Sequence, residues 1–320
     1  MPTDTGTVLK IDSLRKRFGE VQALDGASFE VRPGEVFGFL GANGAGKTTT
    51  MRIVLGFLRA DEGTVTWNDR EAREWPRRTW GYMPEERGLY LRMAVLDQLV
   101  YYASLYGVPR SKARSDALEW LGRFRIADYA DRRAESLSKG NQQKVQFIAT
   151  VLHDPDVILM DEPFVGLDPV NVLLLKDAFL EMRDRGKTLV FSTHQLDMAE
   201  ELCESVAIID HGRIVTAGRT REVKRSTGRQ TVRLATSRDG DLAWLRSLPH
   251  AVVTRQGEDF TELHVEAGGN PQELLHAAMD HGGDVLRFEV ADPSLEEVFV
   301  ERVGALEREA TTLATPEVPT

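Results

Sequence analysis

A continuously apolar run, Val36-Phe37-Gly38-Phe39-Leu40, passes without a break into Gly41-Ala42-Asn43-Gly44-Ala45-Gly46-Lys47-Thr48. This stretch constrains the fold more than any other, because G-x-x-x-x-G-K-T demands a buried strand, a glycine loop and a helix in that order. The helix is expected over 48–57. Glycines let backbone N–H groups close around phosphates, the helix start adds its dipole, and Lys47 supplies a point charge to the outer phosphate oxygens. Gly41, Asn43, Gly44, Ala45, Gly46, Lys47, Thr48 and Thr49 are therefore candidate nucleotide-binding residues, with the Thr48 hydroxyl as a Mg²⁺ ligand.

Around this motif the pattern reads as an α/β chain. Short strands of antiparallel style are expected over 8–11 and 27–31, broken by turns at Phe18-Gly19 and Arg32-Pro33-Gly34-Glu35, and a further strand over 63–67. Apolar residues recur at helical spacing over 95–107 and 111–124 (Val95, Leu99, Tyr102, Leu105; Ala117, Leu118, Leu121), so a helical insert separates two halves of the core. A helix over 141–152, a strand over 157–160, a helix over 172–184 and strands over 188–192 and 206–210 complete a parallel sheet. Beyond about residue 225 the order becomes strand (231–235), helix (242–248), strands (251–254, 261–266), helix (271–280), strand (285–290) and helix (295–303). That order predicts a small α+β, ferredoxin-like accessory domain. The expected divisions are 1–225, with the helical insert at about 86–150, then 226–304, then a disordered tail over 305–320 whose Thr, Pro and Glu have little to bury.

Two carboxylates, Asp161 and Glu162, follow the buried strand at its carboxyl end, where α/β sheets bind ligands. Asp161 is placed to hold Mg²⁺ and Glu162 to orient an attacking water, since phosphoryl transfer to water needs positioning and charge stabilisation. Between the phosphate loop and these acids lies Leu137-Ser138-Lys139-Gly140-Asn141-Gln142-Gln143. Ser138 is a good N-cap, so the segment makes a second helix start receptive to anions. One nucleotide does not need two such cradles from one sheet.

The segment resembles the signature sequence of ATP-binding cassette (ABC) proteins, usually written LSGGQ, and the resemblance extends over roughly 8–217. It implies a P-loop NTPase nucleotide-binding domain with a RecA-like parallel core, an antiparallel β subdomain and an α-helical subdomain. It implies ATP and Mg²⁺, and a dimer, homomeric or heteromeric, in which Ser138 and Gly140 of one chain cover the γ-phosphate held by the other. By the same resemblance Phe18 stacks on adenine, Asp168 in Gly166-Leu167-Asp168 belongs to the D-loop at the dimer interface, and His194 in Ser192-Thr193-His194 is the switch histidine. Lys47, Glu162 and His194 are then the catalytic set, and Thr48, Asp161 and Glu85 the metal set. Glu85 stands where the family's Q-loop has glutamine, and Lys139 and Asn141 replace the usual Gly and Gln of the signature. A carboxylate at Glu85 is expected to bind a hard cation more strongly than an amide would. Pro293-Ser294-Leu295-Glu296-Glu297-Val298-Phe299 resembles the end of the accessory domain of bacterial exporter ATPases, which implies an integral membrane permease as partner.

Composition bounds the alternatives. Forty Lys and Arg against fifty Asp and Glu give a net charge of −10, which leaves no electrostatic case for a nucleic-acid surface. The single cysteine, Cys203, excludes an internal disulfide, and an N-terminus without a secretory pattern points to the reducing cytoplasm. No apolar run approaches the ~20 residues that span a bilayer, so a peripheral place on the inner face of the membrane is expected. A soluble ABC ATPase acting on ribosomes or DNA is the alternative. Such chains carry two cassettes or long coiled coils, and this one has a single cassette and no sustained heptads. A non-hydrolysing regulatory module conflicts with Lys47, Asp161, Glu162 and His194 together.

Overall fold

The structure is a computed structural model that describes residues 9–314 apart from 87, 238–243, 246, 247, 249, 258, 267 and 282, with side chains described as far as 304. The chain divides into two compact units, Met1–Ala217 and Gly218–Thr320.

In the first unit β1 (Leu9–Phe18) and β2 (Val21–Val31) form an antiparallel ribbon. Then come β3 (Val36–Leu40), α1 (Lys47–Val54), β4 (Glu62–Trp67), β5 (Arg70–Glu71) and β6 (Trp80–Met83). The helical insert holds α2 (Val95–Leu105), α3 (Arg110–Arg123) and α4 (Lys139–Val151). β7 (Val157–Asp161), α5 (Pro169–Asp184), β8 (Thr188–Thr193), α6 (Leu196–Leu202), β9 (Ser205–Asp210) and β10 (Arg213–Arg219) follow. One sheet has the order β2-β1-β4-β5, and the central sheet β10-β9-β3-β8-β7-β6. The pairs β3/β8, β3/β9, β7/β8 and β6/β7 are parallel. Every residue of β3, β7, β8 and β9 is buried, as a parallel sheet covered on both faces requires.

Aromatic rings fasten the layers. Phe29 of the ribbon meets Phe37 and Phe39 of β3 at centroid distances of 5.5 and 4.9 Å. A second train runs from Phe124 to Phe147 (5.5 Å), Phe179 (5.9 Å) and Phe191 (5.7 Å), so the helical insert is packed through α4 and α5 onto β8. At the centre a Cβ on Gly38 would lie 2.9 Å from Cys203 Sγ; the buried thiol occupies the space that a side chain there would need.

Several elements exceed their sequence outlines. β1 and β2 are 10 and 11 residues long, well beyond 8–11 and 27–31, because register shifts between Ile11 and Leu14 and between Lys16 and Arg17 interrupt the apolar alternation. β6, α6 and β10 had no sequence counterpart; the first two are too short to show a period.

In the second unit α7 (Thr220–Arg225) precedes β11 (Gln230–Thr236), β12 (Ala251–Gln256), β13 (Thr261–Val265), α8 (Pro271–His281), β14 (Val285–Ala291) and α9 (Leu295–Ala314). The division, between Ala217 and Gly218, falls near the end of β10 rather than at 225/226. Arg225 Nε donates to both carboxylate oxygens of Asp292 at 3.0 Å, and Arg302 donates to Ser226 O at 3.1 Å. The sheet order β12-β13-β11-β14, all antiparallel, is that of a ferredoxin-like βαββαβ unit. Its core is Val232, Leu234, Leu263, Val265, Leu274 and Ala278. Most of the helix expected over 242–248 lies outside the described residues. α9 runs on to Ala314, past the expected end at 303 and into the segment read as a tail; 315–320 lie outside the described residues.

Candidate nucleotide site

The phosphate loop is closed from behind by backbone. A Cβ on Gly41 would sit 2.3 Å from Ile209 O, and Gly46, at φ 115°, would drive one to 2.8 Å from Ala23 O. Only glycine lets β9 and the ribbon approach so closely. Ala42, Asn43 and Gly44 form the exposed crest, Ala45 is buried, and Thr48 and Thr49 are half-buried in the first turn of α1. Lys47 opens that helix with its side chain 6% exposed; Nζ donates to Gly41 O (2.6 Å) and Ala42 O (3.1 Å) and lies 3.8 Å from Glu162 Oε1. Burial pulls the Lys47 pKa below its ordinary value, against the opposing carboxylates of Glu162, Asp161 and Glu85.

Neighbouring strand ends gather the acids. Asp161, 1% exposed at the end of β7, pairs in register with Ser192 of β8. Its Oδ2 accepts from Thr48 Oγ1 at 2.6 Å, and its Oδ1 accepts from Ser192 Oγ. Glu162 turns the chain in the left-handed region at φ 50°, a conformation that costs a non-glycine residue about 1–2 kcal/mol. Its N–H donates to Ser192 at 3.2 Å, Oε1 lies 2.9 Å from His194 Nδ1, and Oε2 is buried with no partner among the described residues. A buried carboxylate oxygen left open beside Lys47 and His194 is an acceptor for a water. Ser192 carried no role in the sequence reading. Its signal was a hydroxyl one residue before the end of a strand whose middle, Leu189 to Phe191, is apolar, but only strand pairing shows which carboxylate it meets.

Two more helix starts approach this region of the fold. Ser138 caps α4, its Oγ accepting from Asn141 N at 3.3 Å, so the helix begins at Lys139 rather than 141. Asp168 caps α5 by accepting from Asn171 N at 3.0 Å. A Cβ on Gly140 would lie 3.4 Å from Gly166 O, so the two caps pack together. Among the described residues no hydrogen bond or ion pair joins Ser138 or Gly140 to the phosphate loop. Glu85 is exposed in the loop after β6, and Phe18, 48% exposed, ends β1 with Lys16 Nζ 5.5 Å from its ring centre. The Thr48 hydroxyl and Asp161 carboxylate form a hard-oxygen pair that fits Mg²⁺, a cation that takes one or two protein oxygens and completes its shell with phosphate and water. Among the described residues no group of three or more acidic, histidine or cysteine side chains is arranged to hold a metal ion by itself.

The family described as ABC transporter matches residues 24–165, and a DrrA1-3-like C-terminal domain of ATP-binding proteins matches 218–303. The uncharacterized ABC transporter ATP-binding protein YhaQ of Bacillus subtilis (strain 168) is 43% identical over 299 residues, covering 93% of this chain and 99% of that protein. The chain belongs to the ABC transporter ATP-binding proteins. Proteins of this family hydrolyse ATP to drive transport, and the chain is an ABC ATPase subunit. The fluoroquinolones export ATP-binding protein Rv2688c of Mycobacterium tuberculosis (strain ATCC 25618 / H37Rv) is 34% identical, covering 93% of each chain. A solved ATP-binding subunit of an ABC transporter superposes on the ABC ATPase with a TM-score of 0.64 at 29% identity, covering 69% of this chain and 93% of the other.

Proposed function

We propose that this ABC ATPase powers an exporter and works as a pair, with two ATP molecules at the seam and a separate membrane permease as partner. The observation that carries the reading is the cluster of Lys47, Glu162 and His194 with the open Glu162 Oε2 beside it. Lys47 leaves the carbonyls of Gly41 and Ala42 for the β and γ phosphates, exchanging neutral acceptors for charged ones. Glu162 accepts a proton-bearing water on its open oxygen and aligns it, and His194 fixes the carboxylate through Oε1 while reaching toward the γ-phosphate. Magnesium, when bound by Thr48 and Asp161 with Glu85 nearby, supplies charge neutralisation of the phosphates. Phe18 offers its exposed face to adenine. Asn43, Gly44, Ala45, Gly46 and Thr49 line the phosphates, and Asp168 stands at the seam.

Pairing is supported by the helix start at Ser138 and Gly140, which among the described residues makes no hydrogen bond to its own phosphate loop and is available to a second chain's γ-phosphate. The partner is either the same chain or a related subunit. Exposed Tyr90, Leu91, Tyr101, Leu105 and Tyr106 form an apolar surface following the Glu85 loop, suited to a permease loop. No helix among the described residues is long and apolar enough to cross a membrane. The permease partner places the subunit at the cytoplasmic face of the membrane in this reading. Export follows the relative named for fluoroquinolones export, and the DrrA-like match at 218–303 supports the accessory domain at the C-terminus. A ribosome- or DNA-associated role is not favoured by these relatives.

Glu162→Gln tests the reading. ATP hydrolysis should fall by about 10²–10⁴-fold, while ATP binding persists and an ATP-dependent dimer accumulates on a sizing column. A variant that stays monomeric with ATP removes the two-chain site; one that hydrolyses ATP normally removes Glu162 from the chemistry.

A further inference from the structure

Helix α4 carries long polar side chains that are buried in the protein rather than exposed on its surface: Gln142, Gln143, Lys144 and Gln146 are each less than a tenth exposed. Each reaches a backbone carbonyl in a different segment. Gln142 Nε2 donates to Ala134 O (2.9 Å), ahead of the Ser138 cap, and Lys144 Nζ to Phe124 O (3.0 Å), at the end of α3. Gln143 Nε2 donates to Pro163 O (3.0 Å), next to Glu162. Gln146 Nε2 donates to Pro84 O (2.7 Å) and Glu86 O (3.3 Å), the carbonyls on either side of Glu85. One rigid helix therefore has Ser138 at its start, the Glu162 segment bonded to its second turn and the Glu85 loop bonded to its third.

From this geometry we infer that Gln146 is a positioning residue that couples the Ser138 end of α4 to the Glu85 loop of the same chain, so that the two ATP sites of a pair act cooperatively. The inference rests on the two-chain site proposed above. In that site the Ser138 end of α4 meets the nucleotide held by the partner, while Glu85 faces the nucleotide held by its own chain. A helix transmits displacement along its axis because its backbone hydrogen bonds resist stretching. A shift of α4 toward the partner's phosphate therefore draws Pro84 and Glu86 with it through the one amide that grips both. Two loop hydrogen bonds are enough for a coupling of about fivefold between the sites.

Packing alone does not explain an amide at this position. Gln146 Oε1 is buried with no partner among the described residues, a cost that an alkyl chain of similar length avoids. What the amide adds is its donor, and the donor is spent entirely on the Glu85 loop. Thr150, one turn on, binds Tyr82 O at 3.3 Å, so β6 and the loop it feeds are attached to α4 at two successive turns.

The test uses the full chain with Gln146→Leu, which keeps the bulk and removes the donor. Steady-state ATPase rates are measured across ATP concentration, with ATP-driven dimerisation measured separately in a Glu162→Gln background. The expected result is a Hill coefficient reduced toward one and kcat lowered about five- to tenfold. ATP affinity of the single chain should stay within about twofold, because Lys47 and Thr48 are untouched. Gln146→Glu adds a second readout: its carboxyl donates only when protonated, so cooperativity should recover as pH falls. Hill coefficients for Gln146→Leu equal to wild type overturn the inference, whatever happens to kcat, since a purely structural loss scales the rate without altering cooperativity. Failure of the Glu162→Gln chain with Gln146 intact to pair with ATP is a different result, and overturns the two-chain site itself.

Discussion

Replacing Ser192 with alanine isolates the contact that joins two strand ends at the acid cluster. Ser192 is fully buried and its hydroxyl donates to Asp161 Oδ1, while Asp161 is 1% exposed. Both side chains are buried, so in the variant the carboxylate keeps Thr48 Oγ1 on Oδ2 and loses its protein partner on Oδ1. A hydrogen bond to a charged group contributes about 1.5–3 kcal/mol. The second contact of the hydroxyl, at 3.2 Å from Glu162 N, is shared with Ser192 O at the same distance and adds little. For a unit of this size the loss corresponds to a fall in Tm of about 3–12 °C. Scanning calorimetry of the full chain reads it in the transition that ATP shifts upward. Repeating the substitution in an Asp161→Asn background should reduce the penalty by about 1–2 kcal/mol, because the amide needs no charge-assisted donor. A Ser192→Ala chain melting within about 1 °C of wild type, or losing as much beside Asn as beside Asp, refutes the assignment of the stabilisation to this pair.

Glu85→Gln should raise the Mg²⁺ concentration for half-maximal ATPase activity, since a charged oxygen is exchanged for a neutral one; an unmoved Mg²⁺ titration removes Glu85 from the metal's surroundings. His153 gives a pH signature. Its ring stacks on Tyr106 at 3.8 Å, Nε2 contacts Trp80 O at 3.1 Å, and burial holds its pKa below the ordinary 6.5. The unfolded chain then takes up a proton that the folded chain refuses, so stability falls as pH drops below 6.5. His153→Gln should flatten the fall in Tm between pH 7.5 and 5.5, and an unchanged slope would assign that fall to other groups.

What the sequence disclosed was whatever depends on neighbours along the chain. The strand before Gly41, the helix opened by Lys47 and the cap at Ser138 are local, and each stands within a residue or a turn of its outline. The meeting of Asp161 with Ser192 depends on the parallel register of β7 and β8, which no motif encodes. Gln146 was equally silent: a polar residue inside a helix reads as solvated until the packing shows it buried against a loop some sixty residues earlier. The extent of α9 was missed for a different reason. Composition after 304 argued against burial, whereas Ala, Leu, Glu and Arg in that stretch favour helix without needing a core.

The thiol of Cys203 rests against Gly38 at the middle of the central sheet, and burial pushes its pKa well above the ordinary value. A thiol in that state is poorly nucleophilic and shielded from oxidants. Because it is the single cysteine of the chain, the rate of its alkylation reports how readily β3 and the segment carrying Cys203 separate. The protein therefore contains a native clock for the loosening of the segment after α6 from β3, and slowing of that clock by nucleotide would measure, without any attached label, how firmly the strand that feeds the phosphate loop is held to its covering layer.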